Sequence, residues 1–238
     1  MKVNWGVIKF VIITLVIVLL FGFTKQRNEA RKLSKIEVEF LDENDPFITL
    51  ESVNKLLIQN FDSVTSIAKE TLVLKEMESR LMANDMIRDA QVFVTVPGVL
   101  GAKIQQRKPI ARVAAATHYY IDEDGKKMPL SSVYTARVPL VTGATNAEFA
   151  EIVPLLLAIK NDSFMEQSVI GLYLKNENEI VLQMRKQAYK VHFGTALNWE
   201  KKFQNYKAFY KKAKQDSTLN SYGKIDLKFG NQVVATKK

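Results

Sequence analysis

Ile87-Arg88-Asp89-Ala90-Gln91-Val92-Phe93-Val94-Thr95-Val96-Pro97-Gly98-Val99-Leu100-Gly101-Ala102-Lys103-Ile104 decides how the first folded part of this chain is built. Val92, Val94 and Val96 alternate with other residues, the two-residue period of a strand with one buried face. Pro97-Gly98 supplies the residues of a type II turn, and Leu100, Ala102 and Ile104 carry the alternation into a return strand. Upstream, Ile36, Val38 and Phe40 alternate with Glu37 and Glu39 and predict another strand. Between them Thr49 is placed to cap a helix with Glu51 in its first turn and Val53, Leu56 and Leu57 on one face. A second helix sets Leu74, Met77 and Leu81 on one face and leaves Lys75, Glu76, Glu78 and Arg80 to solvent. The order is strand, two helices and a hairpin, with the helices covering one sheet.

Outward toward the amino terminus, residues 1–24 have a different character. Between Val3 and Phe23 only Lys9 is charged, and a helix of that length is about 31 Å long, which matches the hydrocarbon thickness of a bilayer. A cleavable signal peptide is the alternative, but no A-x-A-like site follows Phe21-Gly22-Phe23. Trp5 suits the headgroup region, and Lys9 can snorkel toward it. Residues 25–35 read as a polar linker. Lys2 and Lys9 precede the span while Lys25, Arg27, Arg31, Lys32 and Lys35 follow it, so a literal positive-inside count puts the large domain in the cytoplasm. That rule does not bind a long translocated domain.

Toward the carboxyl terminus the charge changes sign of emphasis. The 238 residues hold 34 Lys and Arg against 25 Asp and Glu. Residues 190–238 alone contain 11 basic and 3 acidic side chains, so the basicity belongs to the last fifth of the chain and suits an acidic partner. Apolar residues make up 47% of the total, which rules out intrinsic disorder. With no cysteine there are no disulfides, thiolate metal sites or cysteine nucleophiles.

Residues 113–238 contain short apolar runs at 119–121, 138–141, 169–174, 179–184 and 189–193, separated by turn residues such as Asp122 to Gly125 and Asn176 to Asn178. These predict a mainly antiparallel sheet. Asn146 to Lys160 has helical composition, bent or delayed by Pro154. Ala196 to Lys214 is a further helix with Trp199, Phe203, Tyr206 and Tyr210 as a stripe. Lys201, Lys202, Lys207, Lys211, Lys212 and Lys214 surround that stripe. Such a helix could bind single-stranded nucleic acid or an anionic membrane surface. The simpler reading packs the aromatics on the sheet and leaves the lysines solvated.

Residues suited to catalysis are sparse. Asp122-Glu123-Asp124-Gly125 lacks the ligand spacing of a calcium loop and reads as a hairpin turn. Ser131 and Ser132 have no organised base, His118 and His192 read as structural or surface residues, and no phosphate loop is present. A protein that is not an enzyme and uses no cofactor or metal is the expectation.

The stretch quoted first also carries a family resemblance. Residues 36–112 resemble the POTRA domain of the bacterial cell-division proteins FtsQ and DivIB. Ile87 to Val92 matches a "V-x-x-A-x-V" signature, Pro97-Gly98-Val99-Leu100 a "P-x-x-L" signature, and Gln106-Arg107-Lys108-Pro109-Ile110-Ala111-Arg112 an "E-R-x-P-I-A" signature. Gln106 stands where many members carry Glu, and Val96 lies near a position often held by Trp. The similarity resumes at Tyr119-Tyr120-Ile121-Asp122, Asp124-Gly125 and Val138 to Gly143, and again from Tyr222 through Ile225 to Phe229. It implies an α+β chain: an N-terminal transmembrane helix, a POTRA domain of order β-α-α-β-β over 36–112, then a mainly antiparallel β domain with flanking helices over 113–238.

The last hairpin is expected to carry function. Ile225, Leu227 and Phe229 alternate with Lys224, Asp226 and Lys228, Gly230-Asn231 turns, and Gln232 to Thr236 returns. A terminal strand can leave an edge that accepts an incoming strand, unless Lys237 and Lys238 protect it. The resemblance implies that this edge binds the FtsB part of an FtsB and FtsL complex, with Asp226, Leu227, Lys228 and Phe229 matching the family's strand; the expected partner-binding residues on the hairpin are these four with Tyr222, Lys224, Gln232, Val233 and Val234. Lys228 stands where the family's strand has Arg, which removes a bidentate fork. The chain is then expected to be a single-pass bacterial inner-membrane scaffold of the division septum, with a cytoplasmic amino terminus and a periplasmic domain. It would help control septal peptidoglycan synthesis, with a second division protein at the POTRA domain and no nucleic acid. A periplasmic POTRA-type assembly factor and a cytoplasm-facing nucleic-acid-binding membrane protein are the alternatives.

Overall fold

Residues 5–29, 32–41, 46–58, 72–143, 149–175 and 179–238 are described by a computed structural model. The backbone divides into two compact units, 1–106 and 107–238.

The first unit opens with helix α1 (Trp5–Glu29), whose apolar segment Ile8–Arg27 is long enough to cross a membrane. The helix runs five residues past Thr24, into the stretch expected to be linker, because Lys25, Gln26 and Arg27 are good helix formers. Strand β1 (Lys35–Phe40), helices α2 (Leu50–Leu57) and α3 (Leu74–Met82), and strands β2 (Ile87–Val94) and β3 (Val99–Gln106) follow in the predicted order. The sheet order is β1-β3-β2, with β1 parallel and β2 antiparallel to β3. Their registers align the alternations: Val38, Ala102 and Val92 form one row across the sheet, and Phe40, Ile104 and Ala90 another. Val53, Leu57, Met77 and Leu81 from the two helices close the core over these rows. Thr49 Oγ1 accepts the Ser52 N–H at 3.1 Å and caps α2 as expected.

Three local expectations change. The turn is a three-residue loop closed by Thr95 N–H to Val99 O and Gly98 N–H to Thr95 O, with Gly98 at φ +92, so Val96 lies in the loop rather than in β2. Glu78 does not simply face solvent: its carboxylate accepts the Val92 N–H at 2.8 Å, covering part of the β2 edge. Gln106 is buried, and its Oε1 accepts the Phe47 and Ile48 N–H groups just before α2. An amide performs that task without burying a charge.

The second unit is a nine-stranded sheet. Its strands are β4 (Pro109–Val113), β5 (Tyr119–Asp122), β6 (Lys127–Met128), β7 (Leu140–Thr142), β8 (Val169–Leu174), β9 (Ile180–Met184), β10 (Lys190–Gly194), β11 (Tyr222–Asp226) and β12 (Val234–Lys237). The order is β12-β11-β10-β9-β8-β7-β4-β5-β6. Pro109 to Val113 pairs with β5 and β7 and so lies in this sheet, although the resemblance implied a first domain running to residue 112. Antiparallel pairs predominate, but β4–β7, β7–β8 and β10–β11 are parallel. Parallel neighbours need crossovers, which helices α4 (Phe149–Asn161) and α5 (Ser163–Ser168) provide from β7 to β8 and helix α6 (Trp199–Gln215) provides from β10 to β11. Pro154 lies inside α4; residues 146–148 and the expected turn at 176–178 lie outside the described residues.

Helices α4, α5 and α6 pack on the sheet face that carries Val141, Leu172, Leu182, Val191, Phe193 and Ile225. The aromatic stripe of α6 is in that core: Phe203 and Tyr206 are buried, and Trp199 and Tyr210 are packed against them. Tyr206 and Tyr189 share a buried hydroxyl hydrogen bond of 3.0 Å, and burial holds both phenols above their usual pKa. With its rings turned inward, the helix presents no aromatic stacking platform. Lys202 departs from the expected solvation. It is 7% exposed, donates to the Thr195 carbonyl at 2.8 Å, and sits 4.6 Å from the centre of the Phe193 ring; burial lowers its pKa.

Candidate functional site at the carboxyl-terminal sheet edge

Strand β11 has both sides occupied. It runs parallel to β10 through Lys190–Lys224, Val191–Ile225 and His192–Asp226, and antiparallel to β12 through Lys224–Thr236, Ile225–Ala235 and Asp226–Val234. Leu227 N–H extends the β10 ladder to the His192 carbonyl at 2.8 Å. The edge is therefore β12, which begins at Val234 rather than Gln232. Lys238 N–H donates inward to Ser221 O. Since backbone groups alternate along a strand, Thr236 and Val234 also turn toward β11, and the amides of Ala235 and Lys237 face outward.

The nine predicted partner residues separate by face. Leu227 is buried in the core, and Val233 packs against it from the helix side. Tyr222 stacks edge-on against Phe209 of α6, with ring centroids 5.3 Å apart. Tyr222, Gln232 and Val233 line a cleft of about 400 Å³ with Asn205, Phe209, Lys212 and Asp216. Val234 and Phe229 are exposed, Phe229 beside the Gly230-Asn231 turn. The remaining three, Lys224, Asp226 and Lys228, form a charged group on the helix-free face.

Asp226 is the centre of that group, at 6% exposure. Its Oδ1 accepts the Lys228 backbone N–H at 3.1 Å, and its Oδ2 faces Lys224 Nζ at 3.2 Å and Lys228 Nζ at 3.7 Å. Burial pushes this carboxyl up, but the Lys228 N–H, the Lys224 hydrogen bond and the two lysine charges together hold it below its usual value. His192 Nδ1 lies 3.1 Å from Glu179 Oε1, and Lys228 Nζ is 3.9 Å from the same atom. The His192 hydrogen bond chiefly holds the Glu179 carboxyl low. Gly194, at φ +74, makes room for Lys228: a Cβ there would come within 2.8 Å of its Cγ. Lys228 is thus held by a glycine and two carboxylates rather than displayed as a loose charge.

Sequence reasoning missed Ala235 and Lys237 as the outward-facing positions. Hairpin phase, counted from the Lys238 to Ser221 bond, reveals them. Away from this edge, Asp122 to Gly125 is a turn as expected, but Asp122 is only 1% exposed. It accepts the Asp124 and Lys126 N–H groups and pairs with Arg107 at 2.7 Å. Among the described residues no group of three or more His, Asp or Glu side chains is arranged to hold a metal.

The region that contains this edge is also where similarity to known proteins appears. A family model described as "FtsQ/DivIB, C-terminal related" matches residues 108–236, from the start of the nine-stranded sheet into β12. No curated protein is significantly similar to the chain. The family consists of membrane-anchored, non-enzymatic division scaffolds, in keeping with the apolar α1 and a role in cell division with divisome proteins as partners. Because the match spans more than half of the 238 residues, the chain belongs to the FtsQ/DivIB family.

Proposed function

We propose that this protein is a non-catalytic scaffold of the divisome that captures an FtsB/FtsL-type partner by adding a strand to β12. The observation that carries the reading is the position of β12. It lies at the end of the sheet, where the family match runs into it as far as Thr236, and its phase turns the Ala235 and Lys237 amides outward. Main-chain pairing at such an edge supplies affinity, and neighbouring side chains supply choice of partner. Val234 on one face and the cleft beside Tyr222 and Val233 on the other are the available selectors. The excess of lysine over residues 190–238 would attract an acidic segment. Further parts of this reading are a POTRA-type first unit of order β-α-α-β-β, a cytoplasmic amino terminus, a periplasmic large domain at the septum, and help in controlling septal peptidoglycan synthesis.

Proline at Ala235 tests the edge. It removes an outward N–H without touching the ladder to β11, whereas proline at Val234 would break the hairpin itself. The full chain carrying Ala235→Pro should lose capture of a co-expressed FtsB/FtsL-type complex while the β11 amides keep their protection from hydrogen exchange. Undiminished capture by that folded variant would place the partner elsewhere.

A further inference from the structure

The segment that leaves α1 is fastened against one turn of the first unit. Leu33 is buried in that unit's core, and Ser34 N–H donates to Gly98 O at 2.8 Å. Gly98 itself is needed for the approach, because a Cβ there would come within 2.8 Å of the Lys32 carbonyl. The exit segment therefore lies against the loop Val96-Pro97-Gly98.

Chain length then limits how far this loop can be from the membrane. The uncharged run ends at Thr24, before Lys25 and Arg27, and α1 ends at Glu29. Five helical residues rise about 8 Å, and three peptide units reach at most about 11 Å farther, to Lys32. The headgroup layer beside the span is itself roughly 5–8 Å deep. At the tip of the loop, Val96 has 72% of its surface exposed, and Pro97 beside it is exposed too. Lys32 and Lys35 flank the same exit, the residue type favoured near anionic headgroups.

We propose that the Val96-Pro97 tip rests in the headgroup layer of the bilayer that α1 crosses. The first unit then meets the membrane at two places, the helix and the turn, which fixes its tilt as well as its distance. This contact is independent of the β12 edge and of which side of the membrane the unit occupies.

The chain contains no cysteine, so single-cysteine variants report one position each. Full-length Val96→Cys, Pro97→Cys and Asp85→Cys proteins would carry a fluorophore in vesicles of phosphatidylcholine and phosphatidylglycerol containing nitroxide-headgroup lipid. Asp85 precedes β2 at the far end of that eight-residue strand, roughly 27 Å along it. Probes at 96 and 97 should be quenched at least about three-fold more than the probe at 85, given a headgroup layer only several ångströms deep. Equal quenching at all three positions, or none at 96 and 97, would overturn the proposal. In the Pro97→Cys protein, adding Val96→Asp should lower quenching about two-fold or more, since a charge replaces apolar surface. Unchanged quenching would show that Val96 makes no such contact.

Discussion

Two substitutions at Asp226 separate what its charge and its hydrogen bond from the Lys228 N–H each contribute to the stability of the carboxyl-terminal hairpin. Asp226→Asn keeps an oxygen for the Lys228 N–H but removes the charge facing Lys224 and Lys228, both half-exposed lysines. Pairs of that exposure contribute little, about 1 kcal/mol for the two together. Asp226→Ala also removes the side-chain oxygen that accepts the Lys228 N–H, and a hydrogen bond to a charged group adds about 2 kcal/mol. The sum of about 3 kcal/mol corresponds to roughly two orders of magnitude in the opening of the hairpin, against about five-fold for the Asn variant. Hydrogen exchange of peptides covering Val234 to Lys237, read by mass spectrometry, measures both. Equal acceleration by Asn and Ala would refute the role of the Lys228 hydrogen bond, and no acceleration by either would refute the role of Asp226 altogether. The pH dependence follows from the lowered carboxyl. Its contribution is present above the usual value of 3.8 and is lost as pH falls through the still lower folded value, because the opened form takes the proton first. The extra protection of wild-type β12 over the Asn variant should fade in that acid range.

The other predictions concern the two cores. Arg107→Ala leaves the Asp122 carboxylate buried without its cation, although the Asp124 and Lys126 N–H groups remain. A loss of about 3 kcal/mol is expected, seen as a fall of about 10 °C in the melting of the second unit; an unchanged melt would show that the turn satisfies Asp122 alone. Gly98→Ala places a Cβ at φ +92 against the Lys32 carbonyl. It should destabilise the first unit by about 2 kcal/mol and speed exchange at Ser34, and wild-type exchange there would refute the fastening of the exit segment.

Elements governed by near neighbours in sequence were legible without coordinates. The β2–β3 hairpin, the Thr49 cap, the order of the first unit and the α6 aromatic stripe all follow from residues within a few positions of one another. A strand's period of two and a helix's period near 3.6 are local properties. The membrane span belongs with them, since it depends only on a run of apolar side chains long enough to match a bilayer. The family resemblance added the likeness of the second unit, where apolar runs alone do not specify pairing.

Tertiary structure decided everything that depends on which distant segments meet. The parallel pairing of β11 with β10 joined the predicted terminal hairpin to the rest of the sheet and left β12, Val234 through Lys237, as its edge, which the hairpin pattern around Gly230-Asn231 alone does not specify. Glu78 and Lys202 carry the same side chains as their solvated helical neighbours. One reaches an edge amide of β2 and the other is enclosed over Phe193 of β10, because each helix packs against the adjoining strand at that position, which helical period does not show. Asp226 reads in sequence as an outward charge of an alternating strand. Burial beside the β10–β11 ladder, with Lys228 laid over Gly194, makes it instead a buried acceptor for the Lys228 N–H and a partner of two lysines. Local periodicity assigns a side chain to a face, but only the packing of remote strands determines whether that face is covered and whether a backbone amide is left to bind a partner.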